Sequence, residues 1–243
     1  MINSSCGRFK PKRKAGSTVV GAAPVYDAES RRTSSVALPS MAGTPKKKEV
    51  EMQLVINKYG QHIIDALARL SQRENVAVLI NFIKRQAPLM EQFDVRYGEN
   101  RSRCFLSMVE LSLNGEAGFQ DEQVLADMLA TLDSEIPDSE EFGDIEGDLA
   151  QNALISASYA IQYMQYGKLA DFCASVEKVL ETVDVLHYSE NPDYDERKAM
   201  MREIGLLGLL VRGLSVPLTN TVLENLDEIA RNAPIGADSA EIS

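Results

Sequence analysis

The sequence predicts an all-α protein: a single irregular helical bundle of seven or eight helices, with a disordered N-terminal arm. Three observations predict it. From about residue 50 onward, apolar residues recur at helical spacing. No stretch alternates with period two for long enough to make a strand. The apolar stripes are separated by Gly, Pro, Asn and Asp, which end helices and open turns. The expected organisation is an arm over 1–48, a helical domain over 49–236 and a disordered tail over 237–243.

The arm mixes Ser, Thr, Gly, Pro and Lys/Arg, and no apolar period in it lasts two turns. It reads as a nucleic-acid-binding arm, as an organelle transit peptide, or as extraneous sequence ahead of a mis-assigned start. The last is favoured, because Met52 opens the first periodic segment.

The helices follow in order. Ile56, Ile63, Leu67 and Leu70 share one stripe. Val76, Leu79, Ile80 and Ile83 form the next, ending before Pro88. Leu106, Val109, Leu111 and Leu113 close at Asn114-Gly115, and Val124, Leu125, Met128, Leu129 and Leu132 make a fourth. Leu149, Ala153, Ala157, Ala160 and Met164 close at Gly167. Leu169, Phe172, Val176, Val179, Val183 and Leu186 alternate steps of three and four, the pattern of a bundle packing face. Met200, Ile204, Leu207, Val211 and Leu214 define another helix. Its segment Ile204 to Val211 carries no charge, so burial all round is expected. Gly205 and Gly208 inside it point to a closely approaching neighbour helix. Pro217 stands near the start of the last helix, with Val222, Leu223, Leu226, Ile229 and Ala230 inward.

Composition bounds the function. Trp is absent, so aliphatic residues, Met and Ala must fill the core. Residues 1–48 hold ten Lys/Arg against two acidic residues, a balance of +8; the net charge of −11 then leaves −19 for the rest. Such a body repels nucleic acid and suits a basic protein partner. Three cysteines, Cys6, Cys104 and Cys173, are too few for a disulfide framework and fit a reducing compartment. No run reaches the ~18 apolar residues of a membrane span, and no secretory signal opens the chain.

Eight carboxylates fall within residues 133–148: Asp133, Glu135, Asp138, Glu140, Glu141, Asp144, Glu146 and Asp148. They read as the solvated start of a helix. Pro137 ends one helix, Asp138 or Ser139 caps the next, and Asp148 can cap the long helix that follows. An EF-hand register started at Asp144 places Glu146 and Asp148 correctly, but Leu149 falls where Gly belongs and Ile155 where Glu belongs. Neither His62 nor His187 has a Glu three residues before it, as a bundle metal site requires. Asp144, Glu146 and Asp148 remain the residues a metal would use. Neither a metal nor a cofactor is expected.

No phosphate loop, nucleophile elbow or zinc-protease motif occurs. Asp184 and His187 stand side by side on a helix, either as an oriented base or as a dipole-satisfying C-terminal His, and the second reading is preferred. Tyr159, Tyr163 and Tyr166 form a ridge, read as a partner or homodimer surface or as a boundary stripe.

Three stretches then carry a resemblance: ALARLSQRENVAVLINFIKRQAPLMEQFDVRYGEN, LDSEIPDSEEFGDIEGDLAQNALISASYAI and NPDYDERKAMMREIGLLGLLVRG. Together they resemble the YjaG-like family, bacterial proteins of a domain of unknown function. Glu135-Ile136-Pro137, then Ser139 to Phe142, then the small-residue helix with Ala150, Ala153 and Ala157, are its most specific part. The likeness spans roughly residues 66 to 236. It implies an all-α, cytoplasmic protein and brings no catalytic residue with it.

The expectation is therefore a cytoplasmic protein-binding module with an acidic surface, one version of which is an immunity or antitoxin-like role; an enzymatic role is left open and is less favoured. Two alternatives stand beside it. One is a metal-dependent enzyme using residues 133–148. The other is a nucleic-acid accessory acting through the arm.

Overall fold

The computed structural model describes residues 55–114, 121–214 and 218–235. The arm over 1–48, Leu113's side chain, Pro217 and the tail over 237–243 lie outside the described residues. Among those residues there are ten α-helices and no strand: α1 (Val55–Tyr59), α2 (Gln61–Leu67), α3 (Gln72–Ile83), α4 (Ala87–Tyr97), α5 (Arg101–Asn114), α6 (Glu122–Glu135), α7 (Ile145–Tyr166), α8 (Leu169–Glu190), α9 (Glu196–Gly213) and α10 (Asn220–Arg231). The protein is all-α. Only Gly60 divides α1 from α2, and a single 3-10 turn, Lys84–Gln86, joins α3 to α4. Taken as bent rods, these pairs leave eight.

The middle of the bundle is α3. Ser71 and Glu74 form a reciprocal capping box at its start. From Asn75 to Ile83 every residue is buried, because α5, α7, α8, α9 and α10 all pack around it. This is the all-round burial the sequence reading assigned to Ile204–Val211 of α9. There the expectation fails: Gly205 is exposed and Leu209 is 48% exposed, since α9 packs by one face. The two glycines also differ. Gly208 faces Ile63 at contact distance, whereas a Cβ on Gly205 would meet nothing within 4 Å.

The two long helices α7 and α8 form a hairpin and make the most extensive packing in the fold. Gly167 (φ 64°) ends α7 in the left-handed conformation that glycine adopts without strain. Ala150, Ala153, Ala157 and Ala160 line the buried face of α7, opposite Phe172, Val176, Val179 and Val183 of α8.

α3 ends at Ile83, ahead of Pro88 as expected, but Pro88 itself opens a further helix. It sits in the first turn of α4, where a missing N–H costs nothing. This helix carries Leu89, Met90 and Phe93 into the core. In α5 the phase also differs from expectation. Phe105, Met108, Val109 and Ser112 are buried and Leu111 is half exposed, because 105, 108, 109 and 112 share one helix face.

Candidate functional site

The acidic stretch is built around one turn. Ile136 is extended ahead of Pro137, which ends α6. The Asp138 carboxylate accepts from the Glu140 N–H at 2.9 Å, and its carbonyl accepts from Phe142 N–H at 2.8 Å. The result is a turn, not the helix start expected at Asp138 or Ser139. Asp144 is the true N-cap of α7, accepting from Gly147 N–H at 3.0 Å, and Asp148 lies exposed in the first turn.

That turn buries Phe142 against α4. Its ring meets Phe93 at 5.2 Å and Tyr97 at 4.9 Å, near edge-on. The Arg101 guanidinium covers Phe142 at 5.0 Å and Phe93 at 5.6 Å, and donates to the Glu135 carbonyl at 2.7 Å. Gly98 (φ 69°) closes α4, and the Asp94 carboxylate accepts from the N–H groups of Arg101 and Ser102 to open α5. Four elements are thereby locked at one corner.

At its edge Arg96 reaches Asp144 at 2.8 Å with one nitrogen and Glu146 at 2.7 Å with the other. The Tyr97 hydroxyl donates to Asp144 as well. Asp144 is therefore held below the usual carboxylate range, first by the Tyr97 hydroxyl, then by the Gly147 N–H, with Arg96 adding to them. The Tyr97 phenol is pushed up, chiefly by its bond to Asp144. A carboxylate so fully occupied has little basicity left for proton transfer.

The metal candidates do not converge. Arg96 fills the space between Asp144 and Glu146. Asp133 faces another part of α7, accepting from Ser158 at 3.0 Å. About 18 Å of helix axis separates Ser158 from Glu146. Among the described residues no three His, Cys, Asp or Glu side chains are grouped to hold a metal ion.

The tyrosine ridge is not one surface. Tyr163 is 3% exposed, receives the Asn75 amide at 2.9 Å and packs edge-on to Phe172 at 5.5 Å. Tyr166 is exposed and Tyr159 half-buried. Asp184 and His187 meet through a residue that sequence reasoning missed: Tyr194 donates to Asp184 and stacks on the His187 ring at 5.5 Å. Burial first, then Glu196 and Glu181, push the Asp184 carboxyl up. Of the cysteines, Cys173 is buried and Cys104 half-buried.

The corner opens onto a shallow depression of about 540 Å³ lined by Pro88, Glu91, Gln92, Val95, Arg96 and Glu146. Val95 is 87% exposed in it. No sequence signal marked Val95, Arg96 or Tyr97, because α4 was not read as a helix.

Among the described residues, no helix is long and apolar enough to cross a membrane. No family model matches the chain, and no curated protein matches it. A solved structure of a DUF416 family protein from Shewanella baltica OS155 is similar in fold, with a TM-score of 0.58 and 16% identity, over 70% of this chain and 93% of that one. At that identity the likeness concerns the all-helical fold and transfers no residue role.

Proposed function

We propose that the chain is a cytoplasmic protein-binding module that offers the α4–α7 edge to a basic partner, in the manner of an immunity or antitoxin protein, and that it is a YjaG-like protein. The observation that carries the binding role is Val95. A β-branched side chain stands 87% exposed beside an open depression lined also by Glu91, which has no ion pair among the described residues, and by the paired Arg96 and Glu146. An apolar centre with an acidic rim suits a partner segment pairing one apolar side chain with Lys or Arg. The charge of −19 outside residues 1–48 adds long-range attraction for such a partner. The family reading is supported by the three quoted stretches and by the fold shared with the DUF416 protein.

The test uses the full chain and its Glu91→Lys/Val95→Lys variant as paired baits in a native lysate, at low and high salt, with mass spectrometry. Basic proteins retained by the wild type and lost from the variant are the expected result. Equal recovery by both baits would remove this edge from the function.

A further inference from the structure

On α9 the exposed face combines two features that nothing among the described residues uses. The first is an apolar stripe at successive i, i+4 positions: Met201, 45% exposed, then Gly205, then Leu209, 48% exposed. Gly205 is the informative member. It weakens a helix interior, and a Cβ there would meet nothing within 4 Å, so no contact among the described residues requires it. A glycine at an exposed helix centre admits a close external backbone.

The second feature is charge of the wrong sign for this protein. Lys198, Arg202 and Arg212 lie on the same face as the stripe. None of the three is ion-paired among the described residues. The carboxylates of α9 lie elsewhere: Glu196 in the first turn, and Glu203 buried against Arg85. A cationic, apolar strip thus interrupts an acidic body.

We propose that this face of α9 docks an amphipathic helix of an acidic partner protein, which crosses α9 at Gly205 and sets its carboxylates against Lys198, Arg202 and Arg212. A second copy is a poor occupant. Lys198 and Arg212 stand equally far on either side of Gly205, so a two-fold crossing there would oppose each lysine to an arginine of the other copy. The site is separate from the α4–α7 edge and opposite to it in charge preference.

The test uses the full chain and a fluorescein-labelled model peptide of about five helical turns, with one leucine stripe flanked by glutamates. A scrambled twin of the same composition and a single-stranded oligonucleotide serve as controls. Fluorescence anisotropy at low salt is the readout. The ordered peptide is expected to bind at least about tenfold more tightly than the scrambled one. Attraction to the basic residues of 1–48 acts on both peptides alike, so the preference isolates the helical face. That preference should vanish in Gly205→Leu and in Met201→Asp/Leu209→Asp, and persist in Val95→Lys on α4. Gly205→Leu should not lower Tm, so its lost binding is not lost folding. Three results would each overturn the proposal: equal binding of the two peptides, a preference that survives Gly205→Leu, or α9-dependent binding that favours the oligonucleotide.

Discussion

Arg96 of α4 holds Asp144, the N-cap of α7, with its Nη2 2.8 Å from Asp144 Oδ2, while Tyr97 donates to the same carboxylate. One side chain therefore ends a turn, starts a helix and ties two helices together.

The pH dependence of that tie has a definite sign. Asp144 is held below its ordinary value, first by Tyr97. A depressed carboxyl contributes stability that is complete above the unfolded value, near pH 4, and is lost as pH falls through the folded value. Tyr97→Phe keeps the ring among Phe93 and Phe142 and removes the largest cause. Its urea midpoint should lie below wild type at about pH 7, and the gap should narrow at about pH 3. A gap of equal width at both values would assign the effect to ring packing instead.

Deep in the bundle, Arg85 and Glu203 pair at 2.7 Å with side chains 2% and 7% exposed, and Arg85 also donates to the Ala233 carbonyl. Removing one partner strands a buried charge, so Glu203→Ala should cost about 3–5 kcal/mol. Replacing both, as Arg85→Met/Glu203→Leu, should recover most of that loss. Denaturant unfolding of the two variants and wild type measures both. A double variant no more stable than Glu203→Ala would contradict this account.

Two glycines predict opposite outcomes for the same substitution. A Cβ on Gly147 would collide with the Phe142 carbonyl oxygen, which the turn holds in place. Gly147→Ala should destabilise by on the order of 1–3 kcal/mol. Gly205 has open space around it, so Gly205→Ala should stabilise by about 1 kcal/mol through helix propensity. Paired thermal melts decide this, and shifts of the same sign would contradict it.

Burial, with Glu177 nearby, pushes the Cys173 thiol up to about 11. In the native protein at about pH 8, iodoacetamide should leave Cys173 unmodified, and in urea it should alkylate it. Peptide mass spectrometry separates Cys173 from Cys104 and Cys6. Native alkylation of Cys173 would show that α8 opens readily.

Much of the architecture was legible as period. The stripes of α7, α8 and α10 lie where spacing put them, because each helix buries one face and a single period describes one face. α4 was hidden by Pro88, which looks the same in sequence whether it stops one helix or starts the next. Asp144 and Glu146 stood out as carboxylates, but Arg96 and Tyr97 belong to that distant helix. Tyr163 shows how narrowly phase decides: its neighbours on the ridge reach solvent, while its own ring turns onto Phe172.

Sequence alone determined the all-helical class, the ends of α5, α6 and α7 at Asn114-Gly115, Pro137 and Gly167, and the acidic character of the body. Those properties are local or additive, set by nearest-turn spacing and by counting charges. Which helix sits at the centre, which carboxylates are already occupied and which side of the segment Ile204–Val211 is exposed among the described residues were decided only by the tertiary structure. α3 and α9 are both rich in apolar residues and each packs against five helices, but those around α3 cover every side of Asn75–Ile83, whereas Met201, Gly205 and Leu209 of α9 stay exposed among the described residues.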